Sequence, residues 1–204
     1  MHRTLAGAAL VFVVALCAAW PVSGQGPGTQ APVFASGGQL QRPRDYREWV
    51  FLSSGLGMTY GPARPASDQP PLFDNVFVTR EAYAAFLRSG RWPERTMFVL
   101  EIRRAEANVS INNGGRTQGA VAALEASVKD TARFPQGGWG YFDFGGRSGL
   151  VDAAAPLPAT ASCYSCHANN TAVENTFVQF YPTLFEVAQA HGTVKSTYDP
   201  ARKP

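Results

Sequence analysis

Two thiols and an imidazole fall within five residues near the end of the chain, in Cys163-Tyr164-Ser165-Cys166-His167. This stretch constrains the fold more than any other, because the rest of the polypeptide has to enclose whatever these side chains hold. C-x-x-C-H is the attachment sequence of c-type haem. Each thiol adds across one vinyl group of the porphyrin to form a thioether, and the adjacent imidazole reaches the iron from the same segment. Three other readings stay open on these residues alone. A closed zinc site wants four ligands, but His191 is the only other histidine beyond the N-terminal segment and there is no second cysteine pair. A thioredoxin-like redox pair opens a helix behind a buried strand, whereas "PLPATAS" precedes this motif. A plain disulfide is the third.

The start of the chain points to export. His2 and Arg3 precede an apolar run from Leu5 to Trp20, and small residues follow in "PVSGQ". That is the order of a secretory signal, with cleavage expected near Gly24. The apolar run falls short of the roughly 20 residues a membrane span needs, and Leu16 is too bulky before Cys17 for a lipoprotein signal. The mature chain is therefore expected to have no membrane span. Since c-type haem is attached outside the bacterial cytoplasm, the expected location is the periplasm. The reading by segments is a signal peptide over 1–24, a flexible Gly/Pro/Gln/Ser-rich leader over 25–43, one domain over 44–192 and a tail over 193–204. The formal net charge of +3 has no basic stripe or block behind it, which excludes a nucleic-acid partner.

Within the domain the patterning is mixed. "FDNVFVT" at 73–79 reads as a strand. Thr79 is placed to cap a helix over "REAYAAFLRSG", stopped by Gly90. "TMFVLEIRR" at 96–104 is a strong strand, with Phe98, Leu100 and Ile102 on one face and Met97, Val99, Glu101 and Arg103 on the other. "AALEASVKD" fits a helix or a strand. "GWGYFDFGG" at 138–146 is an aromatic strand bounded by glycines, and the last helix is expected from Pro182 to Ala190. The fold class is α+β, mainly an antiparallel sheet with several helices. A haem in such a domain shuttles electrons if both axial positions are filled, and binds small molecules if one is open. The candidate second ligands are Met58, Met97 and His191. Met97 reads as core filling and His191 as a helix-end residue, which leaves Met58 as the best of the three. The strands and aromatic core favour the open position.

Several ordered segments resemble the cytochrome P-460 family: "DYREWVF" (45–51), "EAYAAF" (81–86), "LEASVKD" (124–130), "RF" (133–134), "ASCYSCH" (161–167) and "NTFVQFYPTL" (175–184). The resemblance runs from about residue 43 to 190. It implies a mainly antiparallel fold, a homodimer, and one haem c near the C-terminus, bound through Cys163 and Cys166 with His167 on the iron. Members of the family bind nitric oxide at a five-coordinate haem or oxidise hydroxylamine. The related cytochromes c′-beta share the fold and bind gases without that oxidation.

One departure limits the analogy. The hydroxylamine-oxidising members carry a lysine, in a segment like "TVxVKE", that bonds to the porphyrin edge. The matching segment here is "TMFVLE", with Leu100 at the lysine position, and Lys129 belongs to a different match. If that position faces the haem, then Leu100, Phe98 and Ile102 form an apolar wall suited to neutral diatomic ligands. Acid–base help would have to come from a carboxylate near the ligand, and Glu125 and Asp143 are the candidates for a catalytic role. Phe142 and Phe144 share a face and are candidates to cap the site. Arg103, Arg104 and Arg133 are candidates to pair with haem propionates. The expected function is a periplasmic haem c protein binding nitric oxide or a similar ligand. The alternatives are an oxidoreductase acting on hydroxylamine or nitric oxide, and an electron-transfer cytochrome, with a redox partner protein as a further expected contact.

Overall fold

A computed structural model of the chain describes residues 30–59, 69–146 and 148–201. The proposed signal segment lies outside these residues. The fold is α+β, as the patterning implied. Strands β1 (Leu40–Gln41) and β2 (Val50–Leu56) are followed by β3 (Leu72–Val78), helix α1 (Arg80–Ser89), β4 (Met97–Glu106), β5 (Thr117–Lys129) and β6 (Trp139–Asp143). Three two-residue strands then lead to α2 (Ser162–Asn170) and α3 (Pro182–Ala190); the last of these short strands, Ala153–Ala154, pairs with β1. The main sheet is antiparallel, in the order β2-β3-β4-β5-β6. Each strand joins its neighbour in sequence, so no crossover is needed.

The sheet has two buried faces because its strands alternate. Phe98 faces the helices and packs edge-on against Trp92, 4.8 Å between centroids. This core continues into Phe86 of α1 and Leu184 and Ala188 of α3. Met97 and Val99 face the opposite way and pack with Leu124, Ala126 and Val128 of β5. "AALEASVKD", which fitted either structure, is strand because it pairs along β4 on one side and β6 on the other.

Glu101, beside Leu100, is almost fully buried on the far face. A buried carboxylate is costly unless it is paired and hydrogen-bonded. Tyr46 and Arg47 from the "DYREW" turn donate to it, as does Arg103. Asn75 adds a longer bond from Nδ2, 3.3 Å. Burial and the Glu101 hydrogen bond push the Tyr46 phenol up to about 12, so it stays a donor.

One expectation is corrected, the flexibility of the leader. The leader expected over 25–43 is packed structure from Gln30 onward. Leu40 is fully buried in the far-face core, and Phe34 packs on Phe142 at 6.1 Å. Arg42 holds Asp152 at 2.7 Å. Gln30 Oε1 accepts the backbone N–H of Arg80 at 2.9 Å, whereas the Thr79 side chain makes no cap bond. The Gly- and Gln-rich composition hid two apolar anchors, without which the far face of the sheet would lie open. The tail expected from 193 is also tied down: the Lys195 backbone N–H bonds to Ala172 O at 2.8 Å, and Tyr198 packs against Phe185.

Substituting Leu40→Ala should therefore cost about 2–5 kcal/mol, as for other buried leucines. Thermal or urea denaturation of the mature protein checks this. A flexible leader would give a midpoint unchanged from the wild type.

Candidate functional site

Helix α2 carries the cysteine motif. At 3.6 residues per turn, Cys163, Cys166 and His167 stand at i, i+3 and i+4 and share one face. The helix is fastened at its C-terminal end. Lys195 Nζ donates to Ala168 O at 2.9 Å, and Gln179 Nε2 donates to Asn170 O at 2.7 Å. The following loop is held to the sheet by Lys129, whose Nζ reaches Trp92 O at 2.7 Å and Glu174 Oε2 at 2.8 Å. Lys129 is thus a structural tie.

These ties turn the motif toward the helix-facing side of the sheet, across a cavity of about 310 Å³. Cys163, Cys166 and His167 line it from α2; Val76, Phe98, Leu100 and Glu125 line it from the sheet. The His167 ring lies between Tyr141 and Phe177, with centroids 4.5 and 4.7 Å away. Its Nδ1 is 2.8 Å from the carbonyl oxygen of Asn175. A carbonyl only accepts, so Nδ1 carries the proton and Nε2 keeps a free lone pair. Burial lowers the pKa of His167, which keeps the ring neutral as an iron ligand requires. The orienting hydrogen bond on the other nitrogen is the usual partner of a metal-ligating histidine.

The other readings of the motif fare worse. No disulfide joins Cys163 and Cys166. Burial, and then Glu125, push the Cys163 thiol up, the opposite of the depressed value that activates a redox pair. Among the described residues no group of three or more His, Cys, Asp or Glu is placed to hold a metal ion, as closed zinc would need. Two thiols, one oriented imidazole and a mainly apolar cavity fit a haem held through both cysteines with His167 Nε2 on the iron.

The sequence-derived site residues divide. Phe98, Leu100 and Glu125 meet at the cavity. Ile102 lies on the same face one pair further along, opposite Asp74, and is not part of the lining. Asp143 stands beside Glu125 in register, but it is exposed and accepts the Gly145 N–H at 2.7 Å. Phe142 lines the cavity while packing in the far-face core; Phe144 is corrected, since it belongs to that core alone. Phe142 borders the cavity, yet its ring packs on Phe34 and Phe134, and Phe144 does not reach the cavity. Along β6 it is Tyr141 that faces the helices. None of the three arginines lines the site: Arg103 holds Glu101, Arg104 is exposed, and Arg133 lies over the Phe34 ring.

Of the three second-ligand candidates, Met97 is buried on the far face and His191 is exposed at the end of α3. Met58 does line the cavity. It lies across Gly55, where an added Cβ would sit 2.1 Å from its Sδ. Glycine is what lets the thioether lie flat on the sheet there.

Among the cavity residues that escaped the sequence reading, Asp74 and Tyr141 bear most on its chemistry. Asp74, opposite Gly55 in β2 and Ile102 in β4, lines the wall. Burial raises its pKa to about 6. The Tyr141 hydroxyl is buried with no hydrogen-bond partner among the described residues, beside the Tyr164 ring. Burial pushes its pKa far up, so the phenol is neutral. Burial also raises Glu125, followed by the charges of Asp143 and Asp74.

A family model described as Cytochrome P460 matches residues 43–178. No curated protein matches the chain significantly.

Asp74 makes stability depend on pH. Its folded pKa lies above the ordinary carboxylate value, so the native state binds the proton more tightly. The contribution is present at low pH and is lost as pH rises from about 4 through about 6. Replacing Asp74→Asn should therefore stabilise the holoprotein by about 1 kcal/mol at neutral pH, allowing for solvent screening, and by much less near pH 4. Melting curves across that range check the sign. An equal gain at both ends would contradict it.

Proposed function

The chain belongs to the cytochrome P460 family, and we propose that it is an exported, periplasmic c-type haem protein whose haem keeps one coordination position open for nitric oxide or a ligand like it. The family is one of haem cytochromes that handle hydroxylamine or nitric oxide. The observation that carries the proposal is the single cavity that Cys163, Cys166 and His167 share with Leu100. Cys163 and Cys166 hold the porphyrin, and His167 supplies the iron ligand. When bound, the haem supplies an iron that coordinates a small ligand.

The remaining work belongs to side chains. Asn175 and the flanking rings of Tyr141 and Phe177 fix the orientation of the imidazole. Val76, Phe98 and Leu100 present an apolar wall that disfavours bulk water and suits a neutral diatomic molecule. Leu100 stands where the oxidising members carry their lysine, which argues for binding over oxidation. Export rests on residues 1–24, and no helix among the described residues is long and apolar enough to cross a membrane.

One observation favours a second reading, oxidation of hydroxylamine or nitric oxide. Glu125 lines the cavity with a raised pKa, and oxidising hydroxylamine requires groups that accept protons. Under that reading Glu125→Gln abolishes turnover with an added electron acceptor. Met58 supports electron carriage only if its sulfur binds the iron.

The visible spectrum of the ferrous protein separates these. The proposal predicts a high-spin spectrum that changes on adding carbon monoxide, and that Met58→Ala leaves the unliganded spectrum as it was. A sharp low-spin α-band unmoved by carbon monoxide would contradict it, and conversion to high spin on Met58→Ala would identify an electron carrier.

A further inference from the structure

Among the described residues, the cavity wall carries two carboxylates and no cationic side chain. Asp74 enters from β3 and Glu125 from β5, on either side of Leu100. Neither makes a side-chain hydrogen bond or ion pair among the described residues. None of the described lining residues is lysine or arginine. No described element packed on the site brings a cation to them. Asp143 of β6 adds a third negative group beside Glu125. Helix α2 brings neutral His167 and the thiols. Lys195 is committed to the far end of that helix and Lys129 to Glu174. The apolar surfaces of Val76, Phe98 and Leu100 lower the local screening, so a charge in the cavity is felt further than it would be in water.

These observations bear on which ligands enter. An anion approaching the cavity meets uncompensated negative charge, or has to bring a proton with it. A neutral diatomic molecule meets neither cost. A compound with N–H groups, or one already protonated, gains an acceptor. We propose that Asp74 and Glu125 form a charge filter on the cavity, admitting neutral or protonated small nitrogen compounds and excluding anions of similar size such as azide and nitrite. The inference rests on the reading of an open coordination position, and it specifies the ligand class of that same site.

Spectroscopic titration of the full holoprotein tests it, with azide added to the ferric form and carbon monoxide to the ferrous form. Wild-type protein should bind carbon monoxide readily and azide weakly. Asp74→Asn should tighten azide binding about tenfold, as expected for removing one poorly screened charge near the ligand. The double variant Asp74→Asn/Glu125→Gln should bind azide more tightly again. Carbon monoxide affinity should not move in either variant, which also reports an intact pocket. Asp74→Glu keeps the charge and should keep azide binding weak. Azide affinity unchanged in both neutralising variants, with carbon monoxide bound normally, would overturn the filter alone. Equal tightening of both ligands would also overturn it, since that marks a wider cavity. Failure of the wild type to bind either ligand would overturn the open position together with the filter.

Discussion

The alternation of β4 is the constraint on which the rest of the structure depends. Successive residues of one strand point to opposite faces, and this strand uses the two faces differently. Phe98 and Leu100 build the wall of the cavity, while Glu101 is buried among Tyr46, Arg47, Arg103 and Asn75. Slipping the register by one residue would bury Leu100 in the polar network and leave Glu101 in the cavity. The network thus fixes register as well as satisfying a carboxylate. It also joins the "DYREW" turn to the strand more than fifty residues later, which gives a physical reason for those two segments to occur together.

The cysteine motif becomes a site only because distant elements aim it. Lys195 and Gln179 hold the end of α2, Lys129 ties the following loop to the sheet, and Asn175 orients the imidazole. Each is a single hydrogen bond or ion pair; those of Gln179, Lys129 and His167 are partly buried, where an unmade partner is costly, and that of Lys195 is exposed. The arrangement is preorganised: the histidine is already neutral, with the tautomer that leaves Nε2 free. Carboxylates on the sheet side then give the cavity a chemical bias that an apolar wall alone would lack.

Much of this was legible in the sequence, and the failures have identifiable causes. The haem motif and the two faces of β4 follow from spacing and period, and the last helix falls at Pro182–Ala190 as its N-terminal proline implied. Period alone, however, does not say which face of a strand meets the site. In β6 Phe142 and Phe144 were the expected cap, of which Phe142 alone borders the cavity, whereas the side that faces the helices carries Tyr141. Asp74 was invisible for a related reason: it reaches the cavity through its register against Gly55 and Ile102. Cross-strand register depends on partners far away in sequence. Residues 30–43 were misread as flexible because their composition is that of a linker, and Phe34 and Leu40 give them a place in the core.

Everything proposed for the cavity depends on Cys163 and Cys166 holding a haem whose iron is bound by His167. The intact mass of the denatured, exported protein tests this most directly. It should exceed that of the polypeptide by one haem, retained through denaturation and acid extraction, and the Cys163→Ala/Cys166→Ala variant should lose it. A mass equal to the bare polypeptide, or lower by the two hydrogens of a disulfide, would contradict the account at its root.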